Sequence, residues 1–145
     1  MNALQRNALA VVRVLVALVF FANGFGIIPQ GLAAKELADH GTPAPLVPLL
    51  MFAARTTEIV GGFGLVLGIY PQIAAIAVVA FLLPATLVAH EFWQAVGTPA
   101  FAPQLLQFLK NTAMAGGLLL IAITPNQPAL FPRPPRSGLL EQKGG

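Results

Sequence analysis

Four apolar stretches, near Ala8 to Ile28, Leu46 to Ile69, Gln72 to Trp93 and Gln104 to Ile123, take up most of this chain of 145 residues. Each is about long enough to cross a hydrocarbon core of roughly 30 Å as an α-helix. In lipid every backbone N–H and C=O must find its partner within the protein, so a chain built from such runs has one economical solution, a bundle of membrane-spanning helices. Composition agrees: 57% of residues are hydrophobic and 9% charged, against about 25% charged in ordinary soluble domains, and the mean hydropathy is +0.78. The expected fold is all-α, a transmembrane four-helix bundle over residues 1–125, with a Pro-rich irregular tail over 126–145 that faces the cytoplasm.

The breaks between the runs carry turn chemistry. "PQG" followed by "KELADHGTPAP", a tight "GIYPQ", and "QAVGTPAFAP" are rich in the Gly and Pro that end helices. The first run starts basic and is followed by small residues, as in a secretory signal, but its length is at the upper limit for a signal core, so four spans is the reading taken. An even number of spans puts both termini on one side. Arg6, Arg133, Arg136 and Lys143 flank that side, while the opposite loops offer Lys35 offset by Glu36, Asp39 and Glu91. The excess of Lys and Arg predicts cytoplasmic termini in a multi-pass inner-membrane protein.

Several functions are excluded by what the sequence lacks. With no cysteine there are no disulfides, thiolate metal sites or iron-sulfur clusters. The net charge of +3 is scattered, with no basic stripe interleaved with stacking aromatics, so nucleic acid is not an expected partner. No metal site, P-loop, dinucleotide fingerprint or nucleophile elbow is present. Two histidines, His40 in a loop and His90 at a helix end, do not make a facing haem pair. No tightly bound cofactor is expected.

An internal repeat is visible. "GTPAPLVPLLMFAARTTEIVGGFGLVLGI" (41–69) resembles "GTPAFAPQLLQFLKNTAMAGGLLLIAI" (97–123): the same GTPA start, then a basic residue, a Thr and a Gly-Gly pair in step. The second and fourth helices read as copies within a 2+2 arrangement of hairpins, a layout that transporter-like folds use to place sites at the repeat interface. Gly61, Gly64 and Gly68 in one copy, and Ala113, Gly116 and Gly117 in the other, predict small-residue seams for close helix approach. Pro84 predicts a kink in the third helix.

Polar residues inside the spans carry the functional signal. Counting from the outer helix ends at about 1.5 Å per residue puts Lys110 about 9 Å deep, Arg55 about 14 Å, Glu58 about 18 Å and Arg13 about 22 Å, with Asn23 and His90 about 5 to 8 Å deep. A charge at the bilayer centre costs about 2.5 to 3.5 kcal/mol on insertion scales, so it normally faces the bundle and finds a partner. Glu58, the only deep acid, is therefore expected to be bridged by Arg13, Arg55 or both, as a structural ion pair or as part of a polar site. Arg55, Lys110, His90 and Asn23 are expected to line an outward-facing pocket suited to an anionic or carbonyl-bearing ligand. Lys110 also has a plainer reading as a residue that snorkels outward, and Trp93 one as part of an interfacial aromatic belt.

Together, "VVRVLVALVFFANGFG", "TTEIVGGFGLVLGI", "LLPATLVAHEFW" and "FLKNTAMAGGLLLI" resemble the DoxX family over residues 10–123. In that resemblance Arg13 and Glu58 match the family's basic position on the first helix and acidic position on the second. His90, Lys110 and Asn111 match a His and a Lys-Asn position of one large subgroup. The chain departs from the family after the fourth helix, where "TPNQPALFPRPP" replaces a Gly-Pro-Gly-like turn. The family takes its name from a small subunit associated with a quinol oxidase, and a related subunit belongs to a thiosulfate:quinone oxidoreductase. The resemblance thus implies a quinone-associated redox subunit; its matched positions Arg13, Glu58, His90, Lys110 and Asn111, joined by Asn23 and Arg55 from the polar residues counted above, are the candidate ligand residues, with Glu58 and His90 as candidates for proton transfer. The expected partners are the lipid bilayer, a membrane or peripheral redox protein, and a second copy in a homo-oligomer. A non-enzymatic partner-recruiting scaffold is the alternative, and a small-solute carrier a third reading.

Overall fold

The computed structural model describes residues 2–29 and 31–129 as helices and short connections, with no strand among them. The elements are α1 (Ala3–Gly24), α2 (Gly31–Asp39), α3 (Leu46–Leu67), α4 (Pro71–Ala89) and α5 (Phe101–Ile123). Four of these, α1, α3, α4 and α5, are long and apolar enough to cross a membrane, with 22, 22, 19 and 23 residues. The predicted segments are shifted at their ends. The first helix starts at Ala3 and stops at Gly24, and α4 stops at Ala89, leaving Trp93 in a run of turns. The tail expected over 126–145 lies outside the described residues from 130 onward.

Each spanning helix packs against two neighbours in the order α1, α3, α4, α5, closing weakly back to α1. That ring puts the α1–α3 and α4–α5 seams on opposite sides. The core is a column of Ala17, Phe20, Leu65, Ala75, Val78, Leu82, Ala115, Leu118 and Ile121. Its residues recur every three or four positions, one face per helix, while Leu, Ile, Val and Phe cover the outside, as lipid-facing helices require. Glycine sets the closest approaches. A Cβ on Gly61 would lie 2.4 Å from Val78 Cγ2, one on Gly64 2.8 Å from Ala74 Cβ, and one on Gly24 2.6 Å from Ile59 Cγ1. Such contacts are possible only where small residues let backbones come together. Pro84 lies inside α4, which continues through it to Ala89.

These contacts fix the vertical register. Gly24, the last residue of α1, packs beside Arg55, Glu58 and Ile59, in the middle of α3. The start of α3 therefore rises about 15 Å beyond the outer end of α1. By the same count the first ten residues of α1 run past the inner end of α3. The outer space that α1 leaves is taken by α2, which packs on α3 and α4 and on no other helix.

Candidate functional site

Arg13 shares one stripe of α1 with Ala17, Phe20 and Gly24 and is 2% exposed. Its Nη2 donates to the Pro128 carbonyl at 2.7 Å and Nη1 to Gln127 Oε1 at 3.5 Å. Nε is buried without a hydrogen-bond partner among the described residues. Gln127 in turn donates to the Ile121 carbonyl, which also accepts from the Thr124 N–H, and to the Thr124 carbonyl beyond the last turn of the helix. Arg13 thus clasps the chain that leaves α5 back onto the inner end of the bundle. Gly68 completes the clasp. Its φ of +69° is left-handed, and a Cβ there would meet the Pro128 carbonyl oxygen at 2.5 Å, so glycine is needed for both conformation and space. Beside it runs a groove of about 330 Å³ lined by Ala10, Val11, Val14, Val66 and Pro128.

This placement corrects one arm of the expectation that Glu58 is bridged by Arg13, Arg55 or both, namely the bridge to Arg13. Arg13 lies at the level of Gly68, while Glu58 lies at the level of Gly24. About ten residues of helix, roughly 15 Å, separate the two levels. The depth count assumed that all helices start in one plane; α1 is staggered, so Arg13 belongs to the inner boundary.

The α1–α3 seam gathers a different group. Glu58 is 5% exposed on the buried face of α3, with its Cβ 3.3 Å from where a Gly24 side chain would start. One turn toward the outer side, Arg55 is exposed, and its Nη2 approaches Gly26 in the turn that ends α1. Asn23 is half-buried next to Gly24. Asn23, Arg55 and Glu58 therefore lie at one level, where α1 stops against the middle of α3.

The opposite seam holds the other predicted residues. Asn111 Nδ2 donates to Thr86 Oγ1 at 3.0 Å, and the Thr86 hydroxyl donates to the Leu82 carbonyl at 2.7 Å. Thr86 is 4% exposed, so this short chain satisfies the one polar side chain buried on α4. Above it, His90 Nδ1 lies 3.1 Å from Gln104 Oε1. Lys110 is exposed on the outer surface of α5. The fold therefore does not build the single pocket of Arg55, Lys110, His90 and Asn23. It places Asn23 and Arg55 at the α1–α3 seam and His90 at the α4–α5 side, and leaves Lys110 on the exposed surface of α5. The aromatics Phe92, Trp93, Phe101 and Phe108 stack edge to face at the outer end of α5, with Phe92 and Phe108 centroids 5.0 Å apart.

Sequence reasoning missed α2 and what it carries. The segment between Gly31 and Asp39 is helical, with a Lys35–Asp39 ion pair one turn apart, and the i,i+4 spacing was the available signal. His40, just past its end, points Nδ1 at the Glu36 carbonyl at 2.7 Å and Nε2 at Glu91 Oε2 at 3.0 Å. An open cleft of about 300 Å³ lies alongside, lined by Glu36, Ala89, Glu91, Gln94, Thr98 and Gln104.

Comparison with known proteins agrees with the fold. Inner membrane protein YphA of Escherichia coli (strain K12) is 28% identical over 120 residues, 80% of this chain and 81% of that protein. Inner membrane protein YqjF of the same organism is 29% identical over 126 residues, 86% of this chain and 88% of that one. No solved structure matches. The DoxX family profile matches residues 8–91, more than half the sequence, from within α1 to the outer end of α4, and the chain belongs to the DoxX family.

Proposed function

We propose that this protein is a quinone-associated membrane subunit that holds a lipid-soluble, carbonyl-bearing ligand at the outer half of the α1–α3 seam. The observation that carries the reading is that exposed Arg55 and buried Glu58 lie beside Gly24 and Gly26 at the point where α1 stops, with Asn23 next to Gly24 in the chain. Quinone oxygens accept hydrogen bonds, and Arg55 and Asn23 are donors. Glu58 supplies a carboxylate out of water that can exchange a proton with a reduced ligand. His90, Lys110 and Asn111 fall outside this ligand set. The same reading puts both termini in the cytoplasm, since Arg6 lies on the part of α1 that runs past the inner end of α3 and the acids Glu36 and Glu91 lie at the other end. A membrane or peripheral redox protein would exchange electrons with the ligand.

The test is organic extraction of detergent-purified protein followed by mass spectrometry of what it held. Wild type and His90→Ala should release a quinone in near-stoichiometric amount. Arg55→Gln should retain about tenfold less, the loss of one charged hydrogen bond. Wild-type protein without quinone, or equal retention in Arg55→Gln and Glu58→Gln, overturns the reading.

A further inference from the structure

We propose that His40 is a proton-operated latch, holding α2 against the outer end of α4 when the imidazole is charged and releasing it when the imidazole is neutral. Both ring nitrogens of His40 face oxygen atoms that act only as acceptors, the Glu36 carbonyl at 2.7 Å and the Glu91 carboxylate at 3.0 Å. A neutral imidazole has one N–H and can satisfy one of them. Its other nitrogen then turns a lone pair toward oxygen, so the double contact requires the imidazolium.

The surrounding charges favour the charged form. On α2 itself are Glu36 and the Lys35–Asp39 pair, whose members engage each other. From the turn after α4 comes Glu91, held in place by Gln94 Nε2 at 2.7 Å. α3 brings no charged residue before Arg55. His90, beside Glu91, faces Gln104. The hydrogen bond to the Glu36 carbonyl, followed by the interaction with Glu91, raises the His40 pKa above the ordinary histidine range. A raised histidine pKa means that the latch is fully closed below the ordinary value and is lost as pH climbs through the raised one.

Geometry gives the latch a task. α2 fills the outer space beyond the end of α1 and contributes Glu36 to the wall of the outer cleft, while Glu91 comes from the opposite wall. The His40–Glu91 contact ties these walls together. Opening it frees α2 to lift from the outer ends of α3 and α4, a change driven by the pH on that side of the membrane. The latch stands whether or not the seam beneath holds a quinone, because α2 movement is read without any ligand.

The chain has no cysteine, so one spin label at Ala38→Cys, on the exposed side of α2, reports α2 alone. In detergent or nanodiscs, the mobile fraction of the label should rise about two- to fivefold from pH 5 to pH 9, the scale of a partly exposed ion pair. The rise should follow a single proton with a midpoint above the ordinary histidine range. In His40→Gln the profile should be flat and mobile throughout, and in Glu91→Gln the midpoint should fall. A pH-independent wild type overturns the latch, as does a titration that survives in His40→Gln.

Discussion

The two copies of the repeated motif, "RTTEIVGG" in α3 and "KNTAMAGG" in α5, occupy diagonal places in the ring of helices, yet they turn nearly opposite faces to the bundle. In α3 the buried residues are Glu58, Gly61, Gly62 and Leu65. Their counterparts in α5 are Ala113, Gly116, Gly117 and Leu120, of which all but half-buried Gly117 are exposed. What α5 buries instead is Ala115, Leu118 and Ile121. Their α3 counterparts face outward at Val60, 64% exposed, and Phe63, with Val66 half-buried. The offset is two residues, about 200° around the helix. Similar sequences thus serve different surfaces, and the glycines that look equivalent are not. Those of α3 are where α1 and α4 press close, while Gly116 of α5 has no atom within 4 Å of where a side chain would begin.

Matched substitutions in the two copies break or sharpen this contrast, and the largest effect is expected at the glycines. Gly61→Leu would drive its first carbon to 2.4 Å from Val78 Cγ2, and valine is too stiff at χ1 to move aside cheaply. Overpacking of this kind costs about 3 kcal/mol or more, enough to separate α3 from α4. Gly116→Leu adds an apolar side chain to a lipid-facing surface and should change stability by about 0.5 kcal/mol or less. Monodisperse yield in detergent and the thermal midpoint of the purified variants check this directly. Equal damage at the two positions would restore the symmetric reading of the repeat.

How much of this was legible in sequence differs by feature, for physical reasons. The four spans were legible because bilayer thickness fixes the length of an apolar helix, and α1, α3, α4 and α5 need no other information. Glu58 stood out because an acid in an apolar run is costly, and it is buried as that argument requires. The partner of Arg13 was not legible. It depends on the stagger of α1, which is set by contacts such as Gly62 against Phe21 and Gly24 against Ile59 and by nothing local to Arg13. The face that α5 turns inward was hidden because its Gly116-Gly117 pair copies the buried pair of α3, whereas α5 buries Ala115, Leu118 and Ile121. α2 escaped notice because nine residues between glycines look like a loop until the bundle gives them a surface to pack on.

The acid provides the next contrast. Ala113 is the α5 counterpart of Glu58, and a symmetric repeat would accept an acid there as a second buried site. In this fold Ala113 faces out, so Ala113→Glu sets a carboxylate against lipid at a cost of about 2.5 to 3.5 kcal/mol. The thermal midpoint should fall accordingly and recover in Ala113→Gln. Glu58→Gln keeps the shape of the α3 side chain and should leave the midpoint far less changed. A stable Ala113→Glu variant would mean that α5 rotates to bury the new acid.

The smallest effect is expected one position after the basic residue of each copy. Thr56 is exposed and bonds only its own helix, donating to the Phe52 carbonyl at 2.9 Å. Thr56→Val should therefore be close to neutral. Asn111 reaches across to α4 and donates to Thr86 Oγ1, so Asn111→Ala removes a cross-helix bond. Thr86 keeps its own bond to Leu82 and no buried donor is stranded, which holds the loss to about 1 kcal/mol. A double-mutant cycle isolates that link. Thr86→Val and Asn111→Ala together should cost less than the sum of the two alone, because each removes the same bond. Thermal midpoints of the four proteins give the coupling, and strict additivity would show that the α4–α5 seam is held by packing of Leu82, Ala115 and Leu118 without this polar contact.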